Sequence, residues 1–276
     1  MKIDDFTFVI TTYLSDKIID ECLKDIPRAC RKIVIDNSGN KKMKKRLEEK
    51  YINVECLLMD ENLGYGKANN VGIKNSNTEY IFILNPDAKL TEEKFLEIIK
   101  KINSKDFAIA APQIREKNNI YKQNFTTEDI LFVDQVPGMA LILNKEKFNN
   151  NFFDENFFLY LEEIDLCRRM KKQGENIIEV NVELEHLGGK SHGEQYEEVS
   201  KSRNWHWMWS KFYFNKKYYG YFYSFIITFP TLVGSFLKYI FFKLINNYEK
   251  KIKYKMRFLG LFNGYILRGS FYRPCK

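Results

Sequence analysis

The chain has 276 residues, 45% of them hydrophobic, which is long and apolar enough to bury a sizeable core and argues against a disordered polymer. Its formal charge of +8 hides an asymmetry: from residue 201 onward 15 Lys/Arg face one acid, Glu249, whereas the first 200 residues hold 29 Lys/Arg against 35 acids. Five cysteines without paired spacing or a C-x-x-C argue against a disulfide framework or a Cys-based zinc site. With no basic, apolar leader at the N-terminus, they point to a reducing cytosol and no secretory signal.

In chain order, "FTFVITTY" (6 to 13) predicts a strand, "DKIIDECLKDIP" a helix, "RKIVIDNS" (31 to 38) a strand, "KKMKKRLEEKY" a charged helix and "VECLLMD" (54 to 60) a strand. "GKANNVGIKNS" then predicts a helix, "EYIFILN" a fourth strand, and "TEEKFLEIIKKI" a helix with Thr91 as its N-cap. Strands separated by helices imply right-handed βαβ units and a mostly parallel sheet covered on both faces, with ligands at the C-terminal strand ends. The polar punctuation falls at those ends: Thr11-Thr12, Asp36-Asn37-Ser38, Asp60-Glu61-Asn62 and Asn85-Pro86-Asp87.

Further on come "IAAPQI", "VPGMALILNKEKF", "FDENFFLYLEEIDLCRRMKKQG" and "ENIIEVNVELEHLGG". From Lys201 the character changes. This tail holds 24 of the 43 aromatics, Trp205, Trp207 and Trp209 among them, interleaved with basic residues. Such a surface suits an anionic membrane face or nucleic acid. Tyr218 to Leu237 carry no charge, a length that can cross a bilayer. Ser224, Thr228, Pro230, Thr231, Gly234 and Ser235 dilute that run, which favours an element lying in the interface over a span or a plain core helix.

Each candidate for chemistry has a plainer reading. Asp87 after Asn85-Pro86 makes an ordinary turn. Gly64 and Gly66 before a helix lack the spacing of a dinucleotide or Walker phosphate loop, and serve equally for close backbone approach. Glu162, Glu163 and Asp165 suit the first turn of a helix with Arg168 and Arg169 as partners. They also follow the aromatic run "FFLY", which would desolvate a general base. His186 and His192 flank a double glycine in "HLGGKSH", as either structural histidines or a ligand-facing loop.

The order of these motifs is more specific than any one of them. Asp36 in "IDNS", "ENLGYGKANNVGI", "ILNPDAKL", "PGMALILNKEKF", "FFLYLEEIDLCRRMKKQG" and "HLGGKS" resemble family 2 glycosyltransferases, especially their bacterial rhamnosyltransferase-like branch, over about residues 6 to 195. The resemblance implies an α/β GT-A fold, a nucleotide-diphospho-sugar transferase architecture, over residues 1–200, with 201–276 as a helical, basic and aromatic extension. It places Thr11, Thr12 and Tyr13 at the donor nucleotide and Asp36 and Asn37 beside base and ribose. The segment Asn62 to Asn70 would line base and diphosphate, with Gly64 and Gly66 allowing close approach and Lys67 facing phosphate.

The family's D-x-D metal motif is matched by Asn85-Pro86-Asp87. Asp87 is then the expected ligand for Mg²⁺ or Mn²⁺, His186 a second ligand or diphosphate contact, and Asn85 a departure that this branch tolerates. The base position of the family's E-D-x-D-L pattern is held by Glu163, flanked by Glu162 and Asp165, and Gly138 and Met139 match the acceptor-facing turn. The implied reaction is inverting transfer from dTDP-rhamnose or a UDP-sugar to a saccharide or polyprenyl-diphosphate-linked acceptor in cell-surface polysaccharide synthesis. The tail would hold the enzyme on the inner face of the membrane rather than on nucleic acid. A domain that binds sugar nucleotides without turnover is the alternative that Asn85 and Glu163 motivate.

Overall fold

The computed structural model describes residues 1–116, 128–186 and 196–274. Strand β1 (Phe6–Thr12) leads through α1 (Ile19–Leu23) to β2 (Arg31–Asp36), and α2 (Lys41–Lys50) leads to β3 (Val54–Leu58). Next come α3 (Tyr65–Lys74), β4 (Tyr80–Leu84), the short β5 (Ala88–Lys89) and α4 (Glu92–Ile102). The rest of the sheet is β6 (Ile109–Glu116), β7 (Ile130–Phe132), β8 (Ala140–Asn144) and, after α5 (Glu162–Lys172), β9 (Ile177–His186).

The capping chemistry explains where two helices begin. The Thr91 side chain accepts from Lys94 N and opens α4 as expected, and Asn40 accepts from Met43 N to open α2. Helix α1 is shorter than the predicted 16–27. Ser15 O accepts from both Ile18 N and Ile19 N, so residues 15–18 are spent on a turn, and Pro27 closes the far side.

The sheet order is β3-β2-β1-β4-β8-β6-β9-β5, with β7 on β9. Pairings β1–β2, β2–β3 and β1–β4 are parallel. Chain order reverses at β1, so a crevice opens beyond the C-terminal ends of β1 and β4, where such sheets bind ligands. The other half is mixed: β8 begins at the edge where β4 ends and runs back antiparallel to both β4 and β6. Alternation along β4 fills both faces. Phe82 packs with Phe8 and Phe95 in one core, while Ile81 and Ile83 join Leu141, Leu166 and Met170 in the other.

The chain divides into two compact units, 1–154 with 163–193, and 155–162 with 194–276. The second is helical: α6 (Tyr196–Tyr219), α7 (Tyr221–Leu244) and α8 (Tyr248–Tyr265). Helices α6 and α8 touch closely at Gly260, where an added Cβ would lie 2.1 Å from the Trp205 carbonyl oxygen, so nothing larger than glycine fits without displacing α6. The three tryptophans, close together in sequence, are separated by the helical period. Trp205 and Trp209 lie one turn apart on the buried face and pack with Met256, and only Trp207 is exposed.

His206 on α6 is fully buried, stacked on Phe158 and against Trp205. Its Nε2 lies 2.7 Å from the Tyr272 carbonyl, which can only accept, so Nε2 carries the proton. Nδ1 has no partner. Protonating Nδ1 would bury an unsatisfied N–H beside Arg273, and burial pushes the pKa down from 6.5 to about 3, with Arg273 adding to the shift. Because the folded value lies below the unfolded one, this contribution to stability is complete above pH 6.5 and is lost as pH falls from there toward 3. The slope approaches about 1.4 kcal/mol per pH unit. All three tryptophans lie in α6, so their fluorescence follows this unit. Urea unfolding at pH 7.5 and 5 is expected to show a larger acid loss for the native protein than for His206→Phe; equal losses would show that His206 does not set it.

Candidate active site

A chain of direct contacts joins the ends of β1 and β4 to the starts of α3, β8 and α5. At the end of β1, Thr11 Oγ1 donates to Asn69 Oδ1 at 2.8 Å. Thr12 and Asp36 are buried side by side, and Tyr13 lies partly buried beyond them. The next residue, Leu14, has φ +54°, a left-handed conformation that is costly for a branched side chain and sits at the rim of the crevice.

Asp36, the carboxylate that the resemblance assigns to base and ribose, is also the centre of its own turn. It accepts from Thr12 Oγ1, Ser38 N and Ser38 Oγ through Oδ1 and from Asn40 N through Oδ2, at 2.6–3.2 Å, so its own turn occupies Oδ1 and leaves Oδ2 with room for a further donor. Asn37 reaches across to the next loop, donating to Gly64 O and accepting from Leu63 N, both at 3.1 Å. Asn62 Oδ1 accepts from Gly64 N at 3.0 Å. Gly64 takes φ +82° at the N-cap of α3, where only glycine is unstrained, while Gly66 is buried and Lys67 partly exposed in the first turn.

The adjacent asparagines of α3 have different tasks. Asn70 spends its amide on Phe153, donating to the carbonyl at 2.9 Å and accepting from the N–H at 3.0 Å. Asn69 binds Thr11, is fully buried, and keeps a side-chain nitrogen with no hydrogen bond. That spare donor beside the β1 end was not singled out by sequence, because neighbouring asparagines look alike until the helix face is known.

Beyond β4, Ala88 N donates to Asn85 O at 3.1 Å and closes the Asn85-Pro86-Asp87 turn, with Asp87 only 6% exposed. Strand β5 then pairs with β9 so that Ala88 stands opposite His186, which puts the His186 backbone one residue from Asp87. The His186 side chain, and His192, lie outside the described residues. Among the described residues no group of three or more His, Cys, Asp or Glu could hold a metal by itself. One buried carboxylate, Asp87, fits a hard divalent ion whose shell is completed largely by substrate phosphates and water, the common arrangement for Mg²⁺. Cys22 packs under this turn, its thiol pushed up to about 12 by burial and then by the Asp87 charge, which leaves it unsuited to nucleophilic work.

Asn85 N donates to Met139 O at 2.9 Å, which ties the Asn85-Pro86-Asp87 turn to Gly138-Met139. The Tyr65 hydroxyl, in the first turn of α3, donates to Gly138 O in a short hydrogen bond. Gly138 lies directly against Glu163: a Cβ there would be 3.2 Å from Glu163 Cβ and 3.3 Å from its Cγ. Tyr65 thus emerges as a positioning residue that sequence reasoning missed, because an aromatic between two glycines reads as packing.

Glu163 is partly exposed near the start of α5, while Glu162 and Asp165 are buried. Asp165 is taken up by Arg169 at 2.9 Å, and Arg169 in turn donates to the carbonyls of Asn151 and Phe152, so this acid anchors a loop. Tyr160 and Leu161, immediately before the helix, have φ of +72° and +69°. Two consecutive side-chain-bearing residues in the left-handed region cost on the order of 1–3 kcal/mol each, a strain that clusters at functional sites.

Residues 7–168 match the profile of the family described as Glycosyl transferase family 2. Among curated proteins, the chain is 26% identical over 199 residues to the low-salt glycan biosynthesis hexosyltransferase Agl10 of Haloferax volcanii, covering 63% of this chain and 64% of that one. It is 24% identical to the rhamnosyltransferase WbbL of Escherichia coli, covering 52% of this chain and 67% of that one. The chain therefore spans just under two thirds of the haloarchaeal relative's length. Among solved structures, the mannosyltransferase PcManGT from Pyrobaculum calidifontis, in complex with GDP-Man and Mn²⁺, superposes with a TM-score of 0.59 at 11% identity, over 95% of this chain and 87% of that one. Residues 1–349 of S. aureus TarS superpose with a TM-score of 0.55 at 14% identity, over 97% of this chain and 93% of that one.

Proposed function

Because the chain belongs to glycosyl transferase family 2, we propose that it moves a sugar from a nucleoside-diphosphate donor to a hydroxyl of a saccharide or lipid-linked saccharide, with inversion at the anomeric carbon. The observation that carries this reading is the contact of Gly138 with Glu163, on a turn bonded both to the Asn85–Asp87 loop and to the start of α3. It links one carboxylate through a single turn to the place suited to a diphosphate, and an inverting displacement needs a base on the acceptor side of the anomeric carbon with the diphosphate leaving on the opposite side.

The donor nucleotide would lie along the ends of β1 and β2, with the Asn69 amide as a spare donor and the N-terminus of α3 turned to phosphate. Glu163 takes the proton of the acceptor hydroxyl, the oxygen attacks the anomeric carbon, and the bond from that carbon to the diphosphate oxygen breaks with the electron pair leaving on the diphosphate. Asp87, with His186, would hold Mg²⁺ or Mn²⁺, which when bound supplies Lewis-acid stabilisation of that charge. Tyr65 keeps the Gly138 turn against Glu163. A rhamnosyl donor such as dTDP-rhamnose is favoured by the likeness to the E. coli relative, and a hexosyl donor by the likeness to the haloarchaeal one.

A thermal-shift screen of nucleotide sugars with Mn²⁺ tests the reading. A true donor at a hundred times its Kd stabilises by about 2.7 kcal/mol, on the order of 5 °C in Tm. If no sugar nucleotide raises Tm and none is hydrolysed or transferred, the reading fails. A donor that raises Tm without turnover would favour the second reading, a binding domain, which the Asn85 and Glu163 departures motivate.

A further inference from the structure

Helix α7 is built inside out. Its buried positions are polar and small, namely Ser224, Thr228 and Ser235. Ser224 Oγ donates to Phe212 O at 2.9 Å, Thr228 Oγ1 donates to Ser224 O at 2.6 Å and bonds the Tyr265 hydroxyl at 2.9 Å, and Tyr221 donates to Tyr265 O. The opposite face is apolar and open, with Phe222 80%, Ile226 67%, Leu237 60% and Leu244 76% exposed, and Phe229, Val233 and Phe241 between them. These positions recur every three or four residues, so they form one stripe roughly 36 Å long on a 24-residue helix. Of the serines and threonines that dilute the run in sequence, Ser224, Thr228 and Ser235 lie in the helix–helix seam, where small residues allow close packing, and Thr231 is half-buried.

We infer that this stripe lies in the plane of an anionic lipid bilayer, with α7 half-immersed at the boundary of headgroups and acyl chains and not crossing it. Among the described residues α7 is the one helix long and apolar enough to span, and only 11% of its apolar window is buried, so it is not a core helix. Its neighbours decide the orientation. Helix α8 packs along α7 and carries Lys250, Lys251, Lys253, Lys255 and Arg257, and a crossing α7 would drag these cations into hydrocarbon. Lying flat, the same cations stay at headgroup level. Lys238 and Lys250 already fold back over the rings of Tyr254 and Phe242. Glu249 is the single acid after residue 200 against 15 Lys/Arg, so the segment as a whole is drawn to anionic lipid. The inference is independent of the sugar chemistry proposed above.

Flotation of the full chain with vesicles of neutral lipid alone, and of neutral lipid with 30% anionic lipid, tests it. Binding is expected to the anionic vesicles, weakened at least tenfold by Ile226→Asp/Leu237→Asp, two exposed positions whose replacement leaves tryptophan fluorescence unchanged. Depth is read by attaching a fluorophore to Phe222→Cys, Val233→Cys or Leu244→Cys and quenching with spin-labelled lipids. Equal shallow depths are expected for all three. A Val233 label far deeper than the other two would overturn the flat orientation. Loss of vesicle binding altogether, with a concentration-dependent dimer that the double variant abolishes, would reassign the stripe to a second copy of the chain.

Discussion

Glu163→Gln is expected to lower kcat for sugar transfer by about 10²–10⁴ while donor affinity changes less than about threefold. The substitution keeps size and shape, so the side chain still fits against Gly138, where the clearance to Glu163 Cγ is 3.3 Å for an added Cβ. It removes only the ability to take a proton. A structural role would appear differently, as a lower Tm with kcat and KM drifting together. Two further readouts separate the roles: the acidic limb of the kcat profile should vanish in Glu163→Gln, and Glu163→Asp, which carries the acid that the family pattern has there, should restore most of the rate. Undiminished transfer by a folded Glu163→Gln protein would remove Glu163 from the role. Asp165 gives the contrast, since its carboxylate is committed to Arg169 and through it to the Asn151–Phe152 backbone. Replacing it should cost stability before it costs chemistry.

The βαβ half was legible because its signals are local. Alternation placed β1 to β4 within about two residues, and an N-cap hydroxyl opened α4 where Thr91 stands. The mixed half was harder to read, because the antiparallel direction of β8 depends on where β4 ends across the sheet and not on anything within "ALILN". Candidate residues divide in the same way. Motif order singled out both Gly138 and Glu163, which the fold brings into contact, whereas the division of labour between Asn69 and Asn70 depends on which helix face meets β1. Asp36 shows a further kind of gap: its position at a strand end was readable, but not that its own turn would occupy Oδ1 and leave Oδ2 as the oxygen with spare capacity. In α7 the polar residues could be read off the sequence, but the common buried face of Ser224, Thr228 and Ser235 became visible only against α6 and α8.

The second large effect concerns the Asn85-Pro86-Asp87 turn, proposed above to hold the divalent ion. Asp87→Asn is expected to abolish the Mn²⁺ dependence of donor binding and to lower transfer by about a hundredfold or more, because the buried carboxylate proposed to offset the divalent charge is replaced by a neutral amide. The turn itself should survive. Asparagine is as good a turn residue as aspartate, and the closing bond from Ala88 N to Asn85 O is made by backbone alone. The opposite change is as informative. Asn85 is anchored through its backbone N–H to Met139 O, so Asn85→Asp adds a second carboxylate without moving the chain. It should tighten Mn²⁺ binding about tenfold in the presence of nucleoside diphosphate, on the order of the 1.4 kcal/mol that one added charge at partial screening supplies. Calorimetric titration of Mn²⁺ into the native protein and both variants, each with and without nucleoside diphosphate, reads the whole series. The native protein should take the ion only with the nucleotide present, Asn85→Asp should begin to take it without, and Asp87→Asn in neither case. An Asp87→Asn titration indistinguishable from the native one would move the metal, and the diphosphate with it, away from this turn.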